Sequence, residues 1–229
     1  MTLVLLDLDG TLMDSAPGIT RSAAHAFRVL GLPVPDDAAL RSFVGPPIGD
    51  SLRAHGVPAD RVADGVAAYR EVFRETGMWE NAVFEGIPAQ LALLREAGCT
   101  LAVATSKPEV FAVPIAERFG LAPLIDGVFG APLDESGSKA GVIAKALAAL
   151  GWSGEPALMV GDRVYDVVGA REHGIDTLGV SWGYPTGDEL VQAGAVQVID
   201  DVADLAPTAL TLLARPTVSP TAHPSAPTP

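Results

Sequence analysis

An unbroken apolar run, Leu3-Val4-Leu5-Leu6, leads directly into an aspartate. A run of strand length without polar alternation has apolar side chains on both faces. It therefore fits a strand covered on both sides, as in the middle of a parallel sheet. Leu101-Ala102-Val103-Ala104, Gly127-Val128-Phe129, Ala157-Leu158-Met159-Val160 and Thr177-Leu178-Gly179-Val180 read the same way, and a shorter stretch, Val196-Gln197-Val198-Ile199, follows. Helix-like segments lie between them and stop at glycine: 88–97 before Gly98, 108–119 before Gly120, 139–150 before Gly151 and 166–173 before Gly174. Strands alternating with helices make βαβ units, and their crossovers build a doubly wound parallel sheet of the α/β class.

One region breaks the alternation. Between residues 17 and 83 no strand pattern appears, and helical stretches cover 19–30, 37–43, 48–54 and 59–74. The expected organisation is a core of residues 1–16 and 84–213 carrying an all-helical insert at 17–83, with hinges near 14–17 and 81–86. Beyond Arg215, prolines 216, 220, 224, 227 and 229 sit among Ser, Thr and Ala with no apolar period, so 214–229 is expected to be a disordered extension.

Charge narrows the partners. The formal net charge is −13, from 28 acids against 15 bases, which argues against a nucleic-acid partner because phosphate backbones need a basic surface. Any site that handles phosphate here has to overcome that charge locally. The single cysteine, Cys99, excludes an internal disulfide and fits a reducing compartment. The N-terminus offers neither a basic leader nor an apolar span, so a cytoplasmic protein without a membrane segment is expected.

The chemistry gathers at strand ends, where open α/β sheets place their sites. The first run ends in Asp7-Leu8-Asp9-Gly10-Thr11, and alternation along an extended chain puts Asp7 and Asp9 on one side. A divalent cation beside one carboxylate would separate their roles into nucleophile and general acid/base; the alternative is a plain turn, since Asp and Gly are turn residues. The second run ends in Thr105-Ser106-Lys107, which reads as an anion cradle or as a helix cap before Pro108, and the two are compatible. Lys139 opens a helix, where a cation opposes the helix dipole unless an anion lies near, and the chain has only three lysines, at 107, 139 and 145. A fourth cluster, Gly161-Asp162-Arg163-Val164-Tyr165-Asp166, puts Asp162 at a strand terminus, suited to a hard cation, and Asp166 where it competes as a helix cap.

Taken in order, these pieces resemble the haloacid dehalogenase superfamily. The insert resembles the cap of its phosphoglycolate phosphatase branch, and Phe43-Val44-Gly45-Pro46-Pro47 with Ala104-Thr105-Ser106-Lys107-Pro108-Glu109 resembles its 5′-nucleotidase-like branch. The resemblance implies a Mg²⁺-dependent phosphatase acting on a small phosphorylated metabolite. Asp7 would be the nucleophile that forms an aspartyl-phosphate, and Asp9 the general acid/base. Thr105, Ser106 and Lys139 would hold the phosphoryl group. Asp7, the Asp9 carbonyl and Asp162 would hold the metal, with Asp166 orienting Lys139 or a metal-bound water. The acid at position 9 argues against a dehalogenase, whose leaving halide needs no proton. Arg41, Gly45 and Pro46 are expected in a cap loop facing the core, where Arg41 would meet an anionic substrate end; the alternative is a solvated arginine beside a tight turn. A phosphosugar mutase and a non-catalytic phosphate-binding regulator are the alternatives, and a monomer or homodimer is expected. His25, His55 and His173 share no metal-like spacing, and Trp79, Trp152 and Trp182 read as packing residues.

Overall fold

The structure, a computed structural model, describes residues 2–134 and 136–215. The expected extension thus lies outside the described residues from position 216 onward. Six strands form one parallel sheet: β1 (Thr2–Leu6), β4 (Cys99–Pro108), β5 (Gly127–Ala131), β6 (Ala157–Gly161), β7 (Asp176–Val180) and β8 (Gln197–Ile199). Their order is β5-β4-β1-β6-β7-β8, so β1 is central and pairs with β4 and β6. A separate antiparallel ribbon joins β2 (Met13–Asp14) to β3 (Ala82–Val83).

The unbroken apolar run of β1 is explained by its neighbours. Alternate side chains feed opposite faces: Val4 and Leu6 enter one hydrophobic core, Leu3 and Leu5 the other. The first core is completed by α5 (Ile87–Glu96), α6 (Glu109–Arg118) and α10 (Leu205–Leu213), through Leu91, Leu94, Phe111, Ile115 and Leu205. The second is completed by α7 (Lys139–Ala149) and α8 (Val164–Arg171), through Val142, Ile143, Ala146 and Ala170. Each fully buried leucine of β1 contributes roughly 1.5–3 kcal/mol of transfer free energy, which secures the strand that carries Asp7. Gly98, Gly120 and Gly151 follow the last residues of α5, α6 and α7 with φ of 83°, 76° and 65°, the left-handed ending that glycine permits.

Between β2 and β3 lie α1 (Ala16–Val29), α2 (Asp37–Arg41), α3 (Ile48–Ala54) and α4 (Val62–Glu75). Helix α1 starts with Pro17 in its first turn and buries Ile19, Ala23, Ala26 and Phe27, the i, i+4, i+7, i+8 stripe of an amphipathic helix. Helix α4 buries Ala68, Tyr69 and Phe73. The remaining short helix, α9 (Glu189–Ala193), precedes β8.

The structure corrects two expectations. The second strand does not stop at residue 104: β4 continues to Pro108, which pairs with Ala131 after a register shift beyond Thr105. Helix α6 therefore begins at Glu109 behind Pro108, with no side-chain cap, and neither Thr105 nor Ser106 caps it. The reason is that Thr105 and Lys107 are buried in the sheet, and their polarity serves the site rather than a helix start. The chain leading to α1 and the chain returning after α4 pair as a short ribbon, Met13 opposite Val83 and Asp14 opposite Ala82. Strands of two residues are too short to leave a period in the sequence.

Candidate active site

Three strands deliver their carboxyl ends to one place. Asp7 follows β1, and its N–H donates to the Val160 carbonyl at 2.9 Å, tying it to β6. Thr105 lies near the end of β4, and Asp162 follows β6. Lys139 is the first residue of α7, whose cap Ser138 accepts from the Gly141 N–H at 3.1 Å. Asp166 sits in the first turn of α8, where its Oδ2 accepts the Arg163 N–H at 3.0 Å. The helix-cap reading of Asp166 and its place in the site thus hold together.

Two ammonium groups hold three of the four carboxylates, and neutral donors hold the fourth. Lys139 Nζ stands 2.8 Å from Asp7 Oδ1 and 2.7 Å from Asp166 Oδ1. Lys107 Nζ stands 2.8 Å from Asp9 Oδ2 and 4.8 Å from the centre of the Phe73 ring on α4. Asp162 is held on both oxygens: Thr11 Oγ1 donates to Oδ1 at 3.1 Å, and the Tyr184 N–H donates to Oδ2 at 2.9 Å. Gly10 lets this happen, because a Cβ there would stand 2.2 Å from Asp162 Oδ2 and its φ is +81°. All of these charged side chains are buried.

The electrostatics follow from that count. Counted as ionised, Asp7, Asp9, Asp162 and Asp166 carry four negative charges against the two positive charges of Lys107 and Lys139 in a buried cluster. Burial, then the Asp166 and Asp7 carboxylates, push Asp162 well above the usual carboxylate range. Asp166 is pushed up to about 6, by burial first and with Lys139 opposing the shift. Burial works against the Lys139 ammonium, but Asp166 and Asp7 outweigh it and raise its pKa. Carboxylate oxygens of Asp7, Asp162 and Asp166 lie within 4.8 Å of one another, close enough for one ion. Asp9 Oδ1 is buried without a hydrogen-bond partner among the described residues. An all-oxygen donor set with two surplus negative charges fits a hard divalent cation such as Mg²⁺.

A family model described as haloacid dehalogenase-like hydrolase matches residues 4–180. The chain belongs to this family. It is 46% identical over 187 residues to the tyrosine-protein kinase PtkA of Mycobacterium tuberculosis, spanning 81% of this chain but only 64% of that protein. Over 189 residues it is 43% identical to a 5′-nucleotidase of Pseudomonas aeruginosa, covering 82% of this chain and 86% of the relative. A crystal structure described as a predicted phosphatase from Clostridium acetobutylicum superposes with a TM-score of 0.87 at 39% identity, covering 92% of this chain and 99% of that one.

Within this family framework the residues expected from sequence divide in two. Asp7, Asp162, Asp166 and Lys139 meet directly, and Thr105 lies buried on the adjoining strand, its Oγ1 accepting the Lys107 N–H at 3.2 Å. Asp9 stands beside them, but its carboxylate pairs with Lys107 instead of joining the three-carboxylate cluster. Asp9, Ser106, Gly45 and Pro46 line one cleft, walled by Phe43, Tyr69, Phe73 and Phe111. Arg41 does not share it. It is the last residue of α2, exposed, and lines a different groove on the outer side of α1, because the turn after α2 carries the chain away before Gly45 reaches the cleft.

Three residues of the site carry contacts that the sequence reading does not assign them. Lys107 holds Asp9, Tyr184 holds Asp162, and Arg163 donates through a terminal guanidinium nitrogen to the Val44 carbonyl at 2.6 Å while its Nε donates to Glu189 at 2.8 Å. Trp182, read as a packing residue, also donates its indole N–H to the Thr11 carbonyl at 3.0 Å. The scarcity of lysine was the one available signal for Lys107; contacts spanning so much sequence leave no local pattern for the others. Among the described residues no helix is long and apolar enough to cross a membrane.

Proposed function

We propose that this chain is a Mg²⁺-dependent phosphatase that hydrolyses a small phosphomonoester through an aspartyl-phosphate on Asp7. The observation that carries the reading is the buried cluster of four carboxylates against two lysines, whose surplus charge matches one divalent cation. Its membership in a hydrolase family and its similarity to a protein named 5′-nucleotidase support the same conclusion.

Asp7 Oδ attacks phosphorus, the bond to the ester oxygen breaks, and Asp9 gives that oxygen its proton. Asp9 then takes a proton from water, whose oxygen attacks the phosphorus and frees Asp7 with release of phosphate. Asp7, Asp162 and the Asp9 carbonyl would hold Mg²⁺, which supplies charge neutralisation between an anionic nucleophile and an anionic substrate. Lys139 and Thr105 hold equatorial phosphate oxygens, with Ser106 at the cleft edge. Asp166 fixes Lys139 in place. Lys107 is positioned to exchange Asp9 for a substrate oxygen as the phosphate enters.

The helices of residues 17–83 act as the cap. Phe73 of α4 lies against Lys107 of the sheet, so a closed cap excludes water from the reacting groups. The unpaired, buried Cys99 supports a reducing compartment, the cytoplasm. A second reading, transfer of the phosphoryl group to a tyrosine hydroxyl instead of water, is favoured by the similarity to PtkA.

The test is phosphate release from phosphoglycolate, AMP and p-nitrophenyl phosphate with Mg²⁺ or EDTA, beside Asp7→Asn. Release that needs Mg²⁺ and vanishes in Asp7→Asn is expected. Turnover persisting in that variant, or indifferent to chelator, would overturn the assignment. Radiolabel retained on an added tyrosine peptide, without free phosphate, would select the transferase reading.

A further inference from the structure

A groove of about 560 Å³ opens on the outer side of α1, and it shares no lining residue with the cleft at Asp9. Arg21 and Arg28 of α1 and Arg41 of α2 reach it from one side. The half-buried Trp182 and Tyr184 line the other. Arg21 is committed to Glu80 and Thr76, but the guanidinium groups of Arg28 and Arg41 make no hydrogen bond, ion pair or ring contact among the described residues. Two uncommitted guanidinium groups facing one groove are notable in a chain of net charge −13, where acids outnumber bases by 28 to 15. Arg53 and Arg95, by contrast, pair with Asp50 and Asp126.

The chemistry on the two sides differs. Planar guanidinium forks suit the oxygens of a phosphate or diphosphate, and an indole and a phenol offer flat surfaces for a ring. The volume lies within the range of small-molecule sites. We infer that this groove is a second binding site, separate from the catalytic cleft, for a nucleoside phosphate. Its phosphates lie against Arg28 and Arg41, and its base against Trp182 and Tyr184. The floor of the groove is also connected to the chemistry, because the Tyr184 N–H is bonded to Asp162 and the Trp182 indole to the Thr11 carbonyl.

Photolabelling with 8-azido-ADP, followed by peptide mapping, tests this without recourse to turnover. Saturable label is expected on peptides carrying residues 182–184 or 16–41. It should weaken about tenfold in each of Arg28→Gln and Arg41→Gln, the loss of one charge-assisted contact. Both side chains are exposed, so these variants should fold, and unchanged circular dichroism verifies it. ADP should displace the label at concentrations about tenfold below those needed for adenosine or tripolyphosphate. Label confined to the cleft peptides 69–73 or 106–111, label undiminished in both variants, or tripolyphosphate competing as well as ADP would each overturn the inference.

Discussion

Lys139 Nζ lies 2.8 Å from Asp7 Oδ1, at the first residue of a helix where a cation would ordinarily be disfavoured. The carboxylates of Asp7 and Asp166 reverse that preference. Replacing Lys139 by Met should lower kcat by about 10²–10³, because transition-state charge on the phosphoryl oxygens loses its cation. It should also destabilise the metal-free protein by about 3 kcal/mol, since two buried carboxylates lose their counter-charge. Single-turnover kinetics and urea unfolding measure the two effects; a variant within threefold of wild-type rate, roughly the scatter of a neutral surface change, would contradict the role given to Lys139.

The pH dependence of metal binding follows from Asp162, a proposed ligand held well above the usual carboxylate range, and from its neighbour Asp166. The folded pKa of Asp166, about 6, is above the usual carboxylate value of 3.8, so the metal-free protein takes up a proton on folding between those values. That contribution favours the folded state at acid pH and is lost as pH rises towards 6. A divalent cation requires the ionised cluster and acts in the opposite sense. The gain in urea midpoint on adding Mg²⁺ to EDTA-treated protein should therefore be small at pH 5 and grow through about pH 6 to pH 7. A gain independent of pH would show that no buried carboxylate of this cluster titrates with the metal.

Gly18 of α1 packs directly on Gly77, the first residue of the 3₁₀ turn after α4. A Cβ at Gly18 would stand 1.9 Å from the Gly77 carbonyl oxygen, which is backbone and cannot swing aside. Gly18→Ala should cost about 1–3 kcal/mol despite the better helix propensity of alanine. Thermal unfolding decides it, and a stabilised variant would mean that α1 does not rest on this turn.

Arg163 joins the loop after β6 to the loop after α2 through the Val44 carbonyl, beside the cleft residue Gly45. Arg163→Gln should raise KM about tenfold, the worth of one charge-assisted hydrogen bond, while kcat at saturation changes less. Steady-state kinetics separate the two, and a selective fall in kcat would place Arg163 among the reacting groups instead.

Much of this arrangement is legible in the sequence. The apolar runs at 3–6 and 157–160 marked strands buried on both faces, and Asp7 and Asp162 stood at their ends, where such sheets carry chemistry. Lys139 was visible because it opens a helix against the dipole. What escaped depended on distant contacts or very short elements. Lys107 and Thr105 looked like loop and cap because polar residues inside a strand mimic its end, yet β4 runs through both. Tyr184 meets Asp162 only because β7 returns beside β6 and its following loop folds over Gly10 and Thr11. Arg41 was grouped with Gly45 by nearness in sequence, whereas the turn between them sends the two side chains to different grooves.

The ribbon of β2 and β3 binds the outgoing and returning chain into a single strap, with Met13 against Val83 and Asp14 against Ala82. One residue added to β2 would turn the buried Met13 outward and carry every helix beyond it to a new orientation above the sheet. Length variation is therefore forbidden at the strap unless both strands change together, and it is free to accumulate in the turns that join α1 to α4.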